Sequence, residues 1–287
     1  MPAVLKIGMR QSRKAAASRY ILAPVHQKME IRHEGSRTAL IGYSGFIGSN
    51  LTRQFAFDEC YNSKNIGDIR GREFDLLVCA GVSAVKWWAN KNPDADRARI
   101  DSLLADLAEV RARKVAVLST VDVYPINRDV DETFDCHSQP NHAYGANRLH
   151  FEDAMRERFR DAVIVRIAGV FGPGLKKNVI YDLLHDNCLE MIQPASSFQY
   201  YNVSRLWRDL QQLDATGIRL VNFVTEPIPT REIIDRFFPG KDVGAQPAPE
   251  AHYDVKTLYS REFGALPPYL AGAEQVLADL GEFVRAA

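Results

Sequence analysis

From Arg37 onward, short apolar runs alternate with helical segments, and this alternation constrains the chain more than any other feature. Residues 38–42, 75–80, 114–119 and 162–166 read as buried strands, and residues 49–57, 97–111 and 146–159 as the helices between and after them. Strand–helix–strand units repeated in this way build a parallel sheet covered by helices on both faces. The expected class is therefore α/β: a doubly wound, Rossmann-like parallel sheet over residues 37–171. A smaller C-terminal substrate lobe over 172–287 is expected to interleave with the last strands. Beyond Gly172 the alternation loosens and prolines gather, among them Pro227, Pro229, Pro239, Pro247, Pro249, Pro267 and Pro268.

The glycines give the first strand its chemistry. Gly42-Tyr-Ser-Gly45-Phe46-Ile47-Gly48 follows the strand directly and opens a helix. Glycines there allow a tight turn and close backbone approach to a pyrophosphate, and the free N–H groups of the helix start face its charge. One dinucleotide per chain, NAD or NADP, is the expected cofactor. The residues about twenty positions past the first glycine meet the adenosine ribose in such folds. Here they are Asn62-Ser63-Lys64, with no carboxylate to repel a 2′-phosphate, so the reading leans to NADP.

Composition excludes several alternatives. With 287 residues, 46% hydrophobic and 25% charged, the chain can bury a large core without staples. No apolar run is long enough for a membrane span. Cys60, Cys79, Cys136 and Cys188 are scattered, which fits a reducing, cytoplasmic setting and gives neither a zinc site nor a disulfide framework. The zero net charge divides into +6 over residues 1–37 and −6 over the rest, so the body is no nucleic-acid binder by bulk charge. Residues 1–36 are expected to be a poorly ordered basic extension; a transit peptide and a start at Met29 are the alternatives. No histidine pair has metal-ligand spacing, and neither a nucleophile elbow nor a phosphate-binding P-loop sequence is present. His137 and His142 lie in a polar loop, open to solvent or to a substrate. Trp87 and Trp88 read either as core or as a pocket wall.

Thr120 ends the third strand, and Tyr144-Gly-Ala-Asn-Arg148 opens a helix twenty-four residues later. Spacing of four places Tyr144 and Arg148 on one helical face, where a cation lowers the phenol pKa and makes it a usable acid or base. The Thr120 hydroxyl would hold the substrate oxygen beside it.

Together these residues resemble the extended short-chain dehydrogenase/reductase family of nucleotide-sugar epimerases and dehydratases, from about residue 38 to near 240. The resemblance implies a nicotinamide enzyme with Thr120, Tyr144 and Arg148 as its catalytic residues. It further implies Asp68 and Ile69 as an acidic–apolar pair at the adenine, and Ala80 and Gly81 in the loop beneath the cofactor. Tyr144 and Arg148 would also meet the cofactor. Departures bear on function. Arg148 stands where the family has lysine, and it is longer, planar and permanently charged. Val121-Asp122 replaces the acidic pair of the dehydratases, Gly169 the usual asparagine, and Gln199 a frequent pyrophosphate-binding arginine; Lys176, Lys177 and Asn178 remain for an anionic substrate. The reading is an NAD(P)-dependent epimerase or reductase of a sugar-like alcohol or ketone, with a homodimer allowed for. The alternative is a non-catalytic NAD(P)-binding protein of the same fold.

Overall fold

The structure, a computed structural model, describes residues 36–287. The extension expected over residues 1–36, Met29 included, lies outside the described residues except for Ser36. In the main sheet run β1 (Thr38–Ile41), β2 (Glu59–Tyr61), β3 (Glu73–Cys79) and β4 (Arg111–Thr120). After the short β5 (Arg128–Val130) the sheet resumes with β6 (Ala162–Ile167). Then follow β7 (Gly169–Phe171), β8 (Ser197–Phe198), β9 (Tyr200–Asn202), β10 (Leu220–Phe223), β11 (Ile228–Pro229) and β12 (Asp254–Val255). The six-stranded sheet has the order β10-β6-β4-β3-β1-β2 and is parallel throughout. Its order reverses between β1 and β3, the place where open α/β sheets form a crevice at the strand ends.

The helices are α1 (Phe46–Gln54), α2 (Lys86–Lys91), α3 (Pro93–Leu107) and α4 (Ala143–Arg158). The later part of the chain adds α5 (Val179–His185), α6 (Leu206–Asp214), α7 (Thr230–Phe237) and α8 (Ala273–Ala286). Strand residues alternate between two cores, as period-two side chains must. Ala39, Ile41, Leu77, Val115, Val117 and Ile164 pack against Ile100 and Leu107 of α3 and Phe151 and Met155 of α4. Leu40, Val78, Leu118, Val165 and Val221 pack on the other face against Leu51 of α1 and Leu206, Leu210 and Leu213 of α6. A separate core built on α5, α7 and α8 holds Phe171, Tyr200 and Ile228.

Three helices start earlier than the apolar pattern predicts. The glycine turn leads straight into α1, and Pro93 opens α3 with Asp94 and Asp96 in its first turn, where carboxylates favour the helix dipole. At α4 the His142 ring nitrogen accepts the Gly145 N–H at 2.9 Å, so Tyr144 lies inside the first turn. Helix starts are set by turn, proline and capping residues rather than by apolar periodicity, and that is the source of the offset. No helix among the described residues is long and apolar enough to cross a membrane.

Candidate active site

The crevice begins at Gly42, whose φ of +86° closes the turn against the next strand. A Cβ there would stand 2.3 Å from the Ala80 carbonyl oxygen, and one on Gly48 would stand 2.0 Å from the Gly42 carbonyl oxygen. Neither position tolerates a side chain, so α1 packs hard on the β1 and β3 ends. Gly45 differs: it is exposed, and a Cβ would meet only the Gly42 oxygen, at 3.3 Å. It is also the N-cap of α1 and offers no side-chain cap, so the first-turn N–H groups around Phe46 and Ile47 are left for an anion. This cradle fits a pyrophosphate.

At the end of β2, Asn62 donates to Ser44 Oγ at 3.3 Å and accepts the Lys64 N–H at 2.9 Å, tying the ribose end to the glycine turn. Ser63 and Lys64 are exposed. Asp68 is exposed too, but the Ile69 side chain is fully buried in the core beside Tyr61 and Phe74. Ile69 therefore offers an adenine only its backbone, with Asp68 exposed beside it. The Ala80 N–H donates to Ile41 at 2.9 Å, and Gly81 lies against the Ile41 side chain.

Thr120 and Tyr144 come together at the C-terminal end of β4: the Thr120 side chain lies close enough to the phenol to lower its pKa, and its oxygen accepts the Asp122 N–H at 3.1 Å. Burial drives the Tyr144 pKa up to about 12, against the lowering effects of Arg148 and Thr120. The expected net lowering by Arg148 is thus outweighed, because the phenol is only 5% exposed. Nor does Arg148 keep its fork for a ligand. Its Nη1 donates to Asp96 Oδ2 at 2.6 Å and its Nη2 to Asp96 Oδ1 at 3.0 Å, and Nη2 also reaches the Ser83 carbonyl. The guanidinium carbon stands 4.3 Å from the centroid of the Tyr144 ring.

Three residues unforeseen from the sequence complete the site. Asp122 accepts from Lys86 Nζ at 2.7 Å and from the Tyr253 hydroxyl at 2.8 Å, and Lys86 also reaches that hydroxyl at 3.1 Å. Burial, with the Asp122 charge beside it, raises the Tyr253 pKa far above its usual value. Asp96, the buried partner of Arg148, had one legible signal, an acid in the first turn of a helix opened by proline. Lys86 and Tyr253 had none, since they meet Asp122 from 36 and 131 residues away.

Other candidates are used elsewhere. Gln199 is buried and spends its amide on the Thr225 and Val255 carbonyls at 2.6 and 2.8 Å. Asn178 caps α5, while Lys176 is exposed. His137 pairs with Asp153 at 3.1 Å. Burial, aided by Lys86, keeps the His142 pKa low, which suits its capping role. Trp87 is 70% exposed and so is not core, and Trp88 lies under the Arg99 guanidinium at 4.1 Å. Among the described residues no group of side chains is arranged to hold a metal.

A parallel sheet of this order, a glycine cradle at its switch point and a Thr–Tyr pair on its C-terminal edge define a dinucleotide-binding Rossmann protein. Residues 73–214 match the family model described as "NAD dependent epimerase/dehydratase family". The UDP-glucose 4-epimerase of Thermotoga maritima, solved with UDP-glucose, is 15% identical with a TM-score of 0.67, over 87% of this chain and 97% of that one. The dTDP-4-dehydrorhamnose reductase of Bacillus anthracis, solved with NADP, is 16% identical with a TM-score of 0.67, over 88% and 98%. A dTDP-glucose 4,6-dehydratase of Streptomyces venezuelae with NAD bound is 17% identical with a TM-score of 0.66, over 87% and 96%. No curated protein is similar enough in sequence to count as a relative. The family match covers just under half of the chain, and the solved structures share its fold.

Proposed function

We propose that this protein is an NAD(P)-dependent epimerase or reductase acting on a sugar-like, nucleotide-linked alcohol or ketone, with Tyr144 as acid/base. The observation that carries the reading is the juxtaposition of Thr120 and Tyr144 at the end of β4, in the crevice that the glycine cradle opens. A bound nicotinamide would supply or take the hydride. Thr120 orients the substrate oxygen and Tyr144 moves the proton on it. A phenol with a pKa near 12 is neutral at pH 7, so it is ready to donate to a forming alkoxide. Lys86 and Tyr253, held on Asp122, wall the substrate side of the pair.

Solved structures with UDP-glucose and with NADP support the substrate and cofactor classes by fold. One observation favours a second reading, a cofactor-binding protein without turnover: Arg148 is committed to Asp96. The two readings part on Tyr144→Phe, which removes the transferable proton and leaves the ring packed. Hydride exchange between labelled NADPH and a panel of UDP- and dTDP-linked sugars should fall by about 10²–10⁴-fold in that variant, with NADPH affinity unchanged. Equal exchange in both proteins sinks the Tyr144 mechanism. Tight cofactor binding with no exchange in the parent protein establishes the second reading.

A further inference from the structure

Three cations converge on the strand ends beside Tyr144, and they differ in what holds them. Arg148 is 5% exposed in its side chain and forms a two-pronged ion pair with Asp96. Lys86 is paired with Asp122 at 2.7 Å. Lys177 reaches in from the loop between β7 and α5 and donates to the Ala84 carbonyl, and among the described residues no carboxylate forms an ion pair with it. Its ammonium is nevertheless drawn into the crevice. Burial pulls its pKa down, Asp122 opposes that fall, and Arg148 adds to it. An ammonium taken partly out of water for a single carbonyl contact is in a costly place.

That place has a definite relation to a dinucleotide. A pyrophosphate on the α1 start would leave the loop after Cys79, with Thr120 and Tyr144, to meet the second ribose. Ser83 and Ala84 carry adjacent carbonyls in that loop. Arg148 holds the first from α4, and Lys177 holds the second from the substrate lobe. Arg148 is locked; Lys177 has only a carbonyl to give up.

We infer that Lys177, rather than Arg148, is the cation that grips the nicotinamide-side ribose of the dinucleotide, its ammonium leaving the Ala84 carbonyl to donate to the ribose hydroxyls. The inference rests on the proposed cofactor and adds a residue to its site. Only the ammonium end of Lys177 is drawn in; the residue as a whole is exposed on a loop, so its replacement spares the core.

Calorimetric titration with ADP, ADP-ribose and NADH tests it, because only the last two carry the second ribose. Lys177→Met and Lys177→Gln should each lose at least tenfold in affinity for ADP-ribose and NADH, and keep the parent affinity for ADP. Lys241→Met, a distant surface change, should match the parent protein on all three ligands. Unchanged affinity for ADP-ribose and NADH in the Lys177 variants overturns the inference and leaves the proposed function standing, as a contact to a substrate phosphate would. An equal loss for ADP also overturns it, since the effect would then not reside in the ribose. A parent protein that binds no dinucleotide overturns the proposed function and this inference with it.

Discussion

Arg148 and Asp96 exchange two hydrogen bonds where water does not reach, and Asn147 adds a third to the same carboxylate at 2.9 Å. Burial pushes the Asp96 pKa up, but the hydrogen bonds from Arg148 and Asn147 and the guanidinium charge win and hold it below the ordinary range. Arg148→Met would strand a buried carboxylate, and the cost should be about 3–5 kcal/mol, read as a fall in the urea midpoint. Arg148→Lys keeps the charge but cannot span both oxygens and the Ser83 carbonyl, so its loss should be smaller yet measurable. A midpoint unchanged in Arg148→Met would mean that the pair does not tie α3 to α4. The pH dependence has a definite sign. A carboxyl with a lowered folded pKa contributes stability above its unfolded value, near 4, and that stability is lost as pH falls through the folded value. The gap in stability between the parent protein and Asp96→Asn should therefore be wide at pH 7 and close toward pH 3. A gap that stays constant would mean that the Asp96 charge is not what matters.

At the scale of elements, the turn into α1 carries the most exposed prediction. A Cβ at Gly45 meets only the Gly42 oxygen, at 3.3 Å, so a valine there should leave the fold intact while filling the space over the helix N–H groups. Gly45→Val should keep the parent far-ultraviolet circular dichroism and lose NAD(P) binding in calorimetry; retained affinity would remove the pyrophosphate from this cradle. The β2 end sets the choice of cofactor. Asn62, Ser63 and Lys64 bring no carboxylate to the ribose, and the Glu59 carboxylate is bound by Arg37 and Tyr61 instead. NADP should therefore bind at least as tightly as NAD. Parallel titrations that favour NAD tenfold, about 1.4 kcal/mol, would show that another group reads the 2′ position.

Across the described residues as a whole, the sheet and the later part of the chain stand or fall together. β10 supplies the edge of the main sheet on β6, and α6 covers the face that holds Leu40 and Val165. A chain ending at Phe171 would lose Tyr201, Val203, Leu206, Leu210, Leu213, Val221 and Phe223 from that core. At roughly 1.5–3 kcal/mol for each buried side chain, the loss is as large as the 5–15 kcal/mol of a typical domain. Such a fragment should show no cooperative unfolding transition in urea, and a sharp transition would make the first 171 residues an autonomous domain.

The alternation of strands and helices, the glycine turn and the Thr120–Tyr144 spacing are local, and the sequence by itself determined them. Strand faces follow from period-two packing, and Gly42 and Gly48 sit where no side chain fits. The glycine turn, Pro93 and the His142 cap shifted the helix starts, because such local features outweigh apolar periodicity at a helix end. The electrostatic character of the site was decided only by tertiary structure. Position 148 reads as a free cation until α3 brings Asp96 to it, and Asp122 reads as a lone acid until Lys86 and Tyr253 arrive from 36 and 131 residues away. Gln199 and Asn178 likewise read as candidates for ligand contact until the fold occupies their polar groups. A side chain's type is written in the sequence, but its charge, exposure and partners depend on what the folded chain packs around it, because desolvation and pairing act through space.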